Sequence, residues 1–290
     1  MIFLDLDCPT PALGDNETRR DASPRFEAFT FHGGEEHVKL RRFEGWPRDT
    51  PVTIVARLRS SGDIQRMLLL ADACRRRDWR VYGFIPYVPY ARQDRVMVPG
   101  ESFSLKVFLK QLKLAEFEKV AFFDPHSDVV AAMTDALEIK SLIITNESHV
   151  KQQATLLGSG ETELVIVAPD AGAAKKMAKL NLSHRVVIGN KVRDLNTGYI
   201  TSYELSGNVR GCRCLVVDDI CDGGATFELL ARALTAGGAV AKHLFVSHGI
   251  FSKGLDSLKA HYATIATTNS FWREEHTSPP HVYRLPFDVF

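Results

Sequence analysis

A chain of 290 residues with 45% hydrophobic and 24% charged residues has the composition of a soluble globular protein, long enough for one large domain or two ordinary ones. Its formal net charge of +1 argues against a broad electrostatic nucleic-acid surface. No apolar run approaches the ~20 residues of a membrane span, and five irregularly spaced cysteines fit a reducing cytoplasm, the expected location. The start, Met1-Ile2-Phe3-Leu4-Asp5, lacks the positive region of a signal peptide.

In chain order, 26–31 and 38–43 flank His32-Gly33-Gly34-Glu35-Glu36 and read as strand, turn, strand. A buried strand at 51–56 leads through a polar loop to a helix with Ile64, Met67, Leu68, Leu70 and Ala71 on its apolar face and Asp63 as its cap. The basic run Arg75-Arg76-Arg77 suits the negative end of that helix. Strand 81–85 ends in Tyr90-Ala91-Arg92-Gln93-Asp94-Arg95; helix 102–114 and strand 120–123 follow, the latter ending at Asp124-Pro125-His126. After strand 140–145, the polar stretch 146–153 and the Gly158-Ser159-Gly160 turn suggest a domain junction. We therefore expect domains at 1–147 and 148–290.

A second series begins with strand 164–168, ending at Pro169-Asp170-Ala171-Gly172, and helix 173–180. Strand 185–188 precedes the polar segment 189–196, which reads as a mobile flap carrying Lys191 and Arg193. The non-alternating run 214–217 predicts a parallel strand covered on both faces. Asp218 and Asp219 follow at its end, then Asp222-Gly223-Gly224-Ala225-Thr226 and a helix from 227 to 236. Strands near 242–247 and 263–266 close the series before Thr268-Asn269-Ser270. Two runs of alternating strand and helix predict an α/β fold of two similar units, each with a mainly parallel sheet flanked by helices.

Ligands of open parallel sheets gather beyond the carboxyl ends of the strands. Glycines there let the backbone approach an oxyanion, and the free N–H groups of the next helix point at it, with the Thr226 hydroxyl as a further donor. Asp218 and Asp219 are poorly placed for a phosphate and well placed for sugar hydroxyls or a metal, so 218–226 reads as a ribose-phosphate site. The other strand ends carry Arg92, Gln93, Asp94 and Arg95, then Asp124 and His126, Asp170, and Lys191 with Arg193. Arginine and lysine neutralise polyphosphate, while carboxylates and histidine hold hard cations directly or through water. Taken singly, each has a structural reading: surface ion pairs for 92–95, a helix cap for His126, a solvated loop for 191–193. Cys212 and Cys214, which alternate with Gly211 and Arg213, read as small strand residues rather than a metal site.

On these residues the chain resembles the ribose-phosphate pyrophosphokinases. Tyr90 to Arg95 stands whole in that family's ATP-binding segment, and Asp124-Pro125-His126 resembles its Asp-Leu-His. Pro169-Asp170-Ala171-Gly172 resembles its Pro-Asp-x-Gly-Gly pyrophosphate loop, and Lys191-Val192-Arg193 the Lys-x-Arg of its catalytic flexible loop. The resemblance implies two phosphoribosyltransferase-like domains, the first on the ATP side and the second with the ribose-phosphate and pyrophosphate loops. It implies transfer of a diphosphoryl group from ATP to the C1 hydroxyl of ribose 5-phosphate, with Mg²⁺ as cofactor. ATP binding falls to Arg92, Gln93, Asp94 and His126, and to Phe31 and Glu35 of a hairpin that reaches a neighbouring subunit, so a homodimer or higher homo-oligomer is expected. Lys191, Arg193 and His126 carry catalysis, His126 and Asp170 the metal. Asp218, Asp219, Asp222, Gly223, Gly224, Ala225 and Thr226 take the ribose phosphate.

Three segments depart from the pattern. Asp222-Gly223-Gly224-Ala225-Thr226 replaces Asp-Thr-Ala-Gly-Thr, Gly33 replaces the hairpin's Asn or Asp, and Ala173 replaces the second glycine of the pyrophosphate loop. The hydroxyl lost at Gly223 admits a second acceptor, a larger 5-substituted ribose such as ADP-ribose, whose 1-pyrophosphate would serve NAD synthesis. A type I phosphoribosyltransferase shares the acidic pair and loop but not the 92–95, His126 and 191–193 features. A silent regulatory subunit is disfavoured by the retained charges. No nucleic-acid or membrane partner is expected.

Overall fold

The structure is a computed structural model that describes residues 1–7, 25–158, 161–193, 200–271, 281–286 and 289–290. The expected turn residues Ser159 and Gly160, and 194–196 of the expected flap, lie outside the described residues. The chain divides into two compact units, Met1–Ile144 with Pro286–Phe290, and Thr145–Leu285. The last segment thus groups with the first unit rather than with the second half of the sequence, and the Phe290 ring lies 5.2 Å from that of Tyr82.

The first unit opens with strand β1 (Ile2–Asp5) and the hairpin β2 (Arg25–Thr30) and β3 (Glu36–Arg41), which pair antiparallel. There follow β4 (Pro51–Val55), α1 (Ser61–Arg75), β5 (Arg80–Ile85), α2 (Ser104–Lys113), β6 (Val120–Phe123), α3 (Val129–Ala136) and β7 (Ser141–Ile144). Its five-stranded sheet has the order β1-β4-β5-β6-β7, parallel throughout. Val52, Ile54 and Phe122 are fully buried against Met67 and Leu70 of α1 and Leu105, Phe108 and Leu109 of α2. The helix α1 is capped by Ser60, not by the expected Asp63. The Ser60 Oγ accepts the Asp63 N–H at 3.2 Å, while the Asp63 carboxylate accepts the Ser60 hydroxyl (2.8 Å) and the Arg59 N–H (3.0 Å). The serine sits outside the helix and the aspartate three residues in, the reciprocal arrangement of a capping box.

The second unit begins with α4 (Glu147–Gly158), where the polar composition had suggested a junction. Val150, Gln153 and Ala154 form its buried stripe, and Gln153 is accommodated there by donating from Nε2 to the Tyr283 hydroxyl. Next come β8 (Leu164–Ala168), α5 (Ala171–Ala178), β9 (Val186–Arg193), β10 (Ile200–Leu205), β11 (Arg213–Cys221), α6 (Ala225–Ala236), β12 (Ala241–Gly249), α7 (Asp256–Lys259), β13 (Thr264–Thr268) and β14 (His281–Tyr283). The seven-stranded sheet runs β10-β9-β8-β11-β12-β13-β14, parallel except where β10 returns antiparallel along β9. Side chains alternate between two buried layers: Val165, Val167, Cys214 and Val216 meet Leu230 and Leu234 of α6. Leu164, Ile166, Leu215 and Val217 meet Val150 of α4 and Met177 of α5. Burial of both faces explains why 164–168 and 214–217 are apolar at every position.

The capping geometry gives a direct test. Ser60→Ala is expected to lower the unfolding free energy by about 1 kcal/mol through loss of the cap, read as a fall in the urea midpoint with an unchanged slope.

Candidate active site

In the second unit the chemistry begins where two strands end at different points. β11 pairs with β8 only to Val216, opposite Val167, but pairs with β12 as far as Cys221, opposite Gly249. Asp218 and Asp219 therefore lie within β11, not beyond it as expected, on a ladder open on the β8 side. There the chain has turned through Pro169 and Asp170 into α5. Lys176 of α5 donates to Asp219 Oδ2 at 2.6 Å, and the Asp219 carboxylate is 6% exposed. The Asp219 N–H donates to Asp218 Oδ1 at 2.9 Å. Burial, then the neighbouring Asp219 charge, pushes the Asp218 carboxyl well above the usual aspartate range. Adjacent carboxylates thus differ: one is neutralised by an ammonium, the other is driven toward the protonated form.

The strand hands over directly to a cradle. Gly224 has φ +84, the left-handed region in which glycine carries no strain. A Cβ at this position would also come within 3.3 Å of Leu258. The Gly224 carbonyl accepts the amides of Phe227 (2.9 Å) and Glu228 (3.1 Å), and the helix starts at Ala225, earlier than expected. The first N–H groups of a helix have no intrahelical acceptor, so Ala225 and Thr226 present theirs at the positive end of α6. Asp222 is exposed and accepts the Ser252 hydroxyl at 2.6 Å. Burial pushes the Cys221 thiol up to about 12, so it adds no anion beside the acids.

Asp170 is the N-cap of α5: its Oδ1 accepts the Ala173 N–H at 3.0 Å and its Oδ2 accepts Lys191 Nζ at 2.7 Å. Burial raises the carboxyl, but the Lys191 ammonium and the Ala173 amide outweigh it and leave it below its ordinary value. Lys191 lies on β9, opposite Tyr203 of β10, rather than in the expected flap. Arg193 ends that strand; its side chain lies outside the described residues.

In the first unit, Tyr90 has φ +62 and its carbonyl accepts the Gln93 N–H (2.9 Å), folding 90–93 into a tight turn. The Gln93 carbonyl then accepts the Leu105 N–H of α2 at 3.3 Å. Arg92, Gln93, Asp94, Arg95, Glu101 and Ser102 line an open cleft of ≈ 480 Å³. Asp94 is held by Arg95 through two bonds (2.8 and 3.0 Å) and by the Ser127 hydroxyl (2.6 Å). The Arg95 bonds chiefly, then Ser127, hold its carboxyl down to about 2, although burial opposes them. Asp94 thus tethers this turn to the segment after β6, where His126 is exposed one residue before Ser127. In the hairpin, Phe29 and Phe31 are 40% and 53% exposed and their rings cluster with that of His37. Arg66 anchors the hairpin to α1 through two bonds to Glu36 (2.6 and 3.1 Å). The Glu35 side chain lies across Gly33, where a Cβ would stand 2.5 Å from Oε2, so any side chain at 33 displaces Glu35.

Among the described residues no group of three or more His, Cys, Asp or Glu forms a metal cage. Mg²⁺ usually takes one or two carboxylates, several waters and substrate phosphates, and single acids such as Asp170 fit a cation that arrives with a nucleotide. Sequence reasoning missed Lys176, Ser127 and Ser252. Lys176 alone carried a signal, a lysine three residues on from buried Ala173 and next to buried Met177.

No family model matches the chain. A ribose-phosphate pyrophosphokinase of Maricaulis maris is 30% identical over 230 residues, 77% of this chain and 72% of that protein. Enzymes of the same name from Cereibacter sphaeroides and Hyphomonas neptunium are 30% and 29% identical, each over 67% of this chain. The matches span 57% and 62% of those two proteins, so the chain covers about three-fifths of their length. The crystal structure of phosphoribosylpyrophosphate synthetase from Mycobacterium smegmatis has the same fold, with a TM-score of 0.73 and 23% identity over 91% of this chain and 86% of that one.

The raised Asp218 carboxyl has a measurable consequence. A group that titrates higher in the folded state contributes stability below its unfolded value, roughly 3.9, and loses it as pH rises through the folded value. Asp218→Asn removes that loss. Without divalent cations or nucleotide, it is expected to unfold about 2–4 °C above the parent chain at pH 8, the effect of roughly 1 kcal/mol. The two thermal midpoints should converge near pH 4.

Proposed function

This chain belongs to the ribose-phosphate pyrophosphokinase family, and on that premise we propose that it transfers the β,γ-diphosphoryl group of ATP to the C1 hydroxyl of a ribose phosphate. The observation that carries this reading is the acidic pair, one member held by Lys176, set immediately ahead of the Gly224 turn and the start of α6. Carboxylates there accept from the sugar hydroxyls, and the amides beyond them take the 5-phosphate. Asp218 and Asp219 hold the ribose hydroxyls; Asp222 to Thr226 hold the phosphate.

The sugar O1 attacks the β-phosphorus, the bond from that phosphorus to the oxygen bridging the α-phosphorus breaks, and AMP leaves with that oxygen. The hydroxyl proton is released to solvent. Such transfers demand little covalent work from a protein, so positioning and charge stabilisation dominate. Arg92 and Gln93 grip ATP at the 480 Å³ cleft, with Asp94 fixing the turn that carries them. Mg²⁺ arriving with ATP would neutralise the phosphate charge, and His126 and Asp170 are the residues that would help place it, directly or through water. Lys191, which pairs with Asp170 here, exchanges that partner for the transferring phosphoryl oxygens, and Arg193 joins it. Phe31 and Glu35 serve the adenine of a neighbouring copy, a role supported by the exposed ring of Phe31, so the active form is a homo-oligomer. ATP as co-substrate makes the cytoplasm the compartment.

A second reading keeps the chemistry and enlarges the acceptor to ADP-ribose, giving its 1-pyrophosphate. It is favoured by Gly223, which removes a side chain from the cradle; among the described residues the atoms nearest a would-be Cβ there belong to the Lys253 stem, 3.5 Å away. Ribose 5-phosphate remains the first reading because backbone amides bind a simple phosphate without that side chain.

AMP release from Mg-ATP, measured with ribose 5-phosphate and ADP-ribose offered separately, tests both. Phosphorus NMR should report a new diphosphate on C1. Release with neither acceptor would refute the reading. Lys191→Ala is expected to lower kcat by ~10² to 10³, the usual effect of removing one transition-state donor, and near-normal turnover would remove Lys191 from catalysis.

A further inference from the structure

The loop after β12 is fixed against the cradle at four points. The Cys221 carbonyl accepts the amides of Ile250 (2.9 Å) and Phe251 (3.1 Å), and Ser252 donates to Asp222 at 2.6 Å. Leu258 of α7 lies against Gly224. The fourth contact is Lys253, whose Cγ, Cδ and Cε lie 3.5–3.7 Å from the position of a Cβ on Gly223. Its side chain runs along the face of the cradle that glycine leaves bare. Lys253 is exposed, and among the described residues its ammonium pairs with no carboxylate.

A lysine in this position has its stem packed and its charge uncommitted. An ammonium is a compact, mobile charge that serves a phosphate without demanding fixed bidentate geometry. Holding the stem on glycine also reduces the freedom lost on binding. The cradle's own donors are neutral amides and the Thr226 hydroxyl, so a cation at its rim supplies what they lack.

We propose that Lys253 is a specificity-determining residue of the acceptor site, its ammonium taking an oxygen of the phosphate group attached to the sugar's 5-carbon. The inference rests on the acceptor reading above. The phosphate belongs to the monoester of ribose 5-phosphate or to the diphosphate of ADP-ribose, and the test separates these sources.

Calorimetric titration of the full chain with each compound, independent of turnover, is the experiment. Lys253→Met, which keeps the stem and removes the charge, is expected to weaken acceptor binding about tenfold or more, and Lys253→Arg to recover most of the loss. In steady state, Lys253→Met should raise the acceptor KM by a similar factor, with kcat and the KM for ATP within about twofold. Weakening for ribose 5-phosphate assigns the monoester; weakening confined to ADP-ribose assigns the diphosphate. Equal affinity of parent and Lys253→Met for both compounds overturns the proposal, as does a parent chain that binds neither. Binding that depends on Lys253 without AMP release would leave the lysine in place and remove the diphosphokinase reading instead.

Discussion

The second unit depends on a difference in length between two adjacent parallel strands. β8 stops at Ala168 and β11 continues to Cys221, held by β12 on its other side. In a sheet covered on both faces, carboxylates are costly along the length that β8 and β11 share, because positions there point into a core. The overhang creates the exception. Two carboxylates lie on a strand still paired with β12 on one side and no longer paired with β8 on the other. The rest follows from that step: α5 starts beside it and brings Lys176, and α6 starts beyond it and brings the amides.

Among the described residues, charge at the site is arranged in lysine–carboxylate pairs rather than in a metal cage. Lys176 meets Asp219 and Lys191 meets Asp170, at 2.6 and 2.7 Å, while among the described residues no lysine pairs with Asp218, whose carboxyl is shifted upward by burial and by the Asp219 charge. Pairs of this kind hold side chains in position at little net energetic gain, since desolvation offsets most of the attraction. Their value lies in readiness. Under the proposed reaction, an ammonium already near a carboxylate would transfer to an incoming phosphate without first being gathered from solvent.

Much of this was legible in the sequence. The runs 164–168 and 214–217 announce strands buried on both faces, and the acid-acid-x-x-acid-Gly-Gly pattern announces the cradle. Other features were hidden for physical reasons. Asp218 and Asp219 look like the end of a strand because carboxylates rarely occupy a buried ladder, and only the pairing with β12 keeps them in one. Lys191 looks like loop because β9 is polar beyond Ile188, where it leaves β8 and pairs with β10 alone. The helix α4 looks like a junction because Gln153 interrupts its apolar stripe, and its partner, Tyr283, is far away in the chain. Contacts such as Ser127 with Asp94 and Ser252 with Asp222 join segments that no local pattern relates.

The staples between the 221–224 turn and the 250–258 loop bear on how this site can be re-engineered. The Cys221 carbonyl serves two amides of the second loop, and Asp222 serves its serine, so the two segments behave as one unit of structure. Grafting a relative's sequence into 222–226 alone would set a foreign side chain at 223 against a resident lysine. Grafting the second loop alone would strip Asp222 of its serine. On the proposed reading, acceptor preference in this chain is a two-segment trait, transplantable only when both loops travel together.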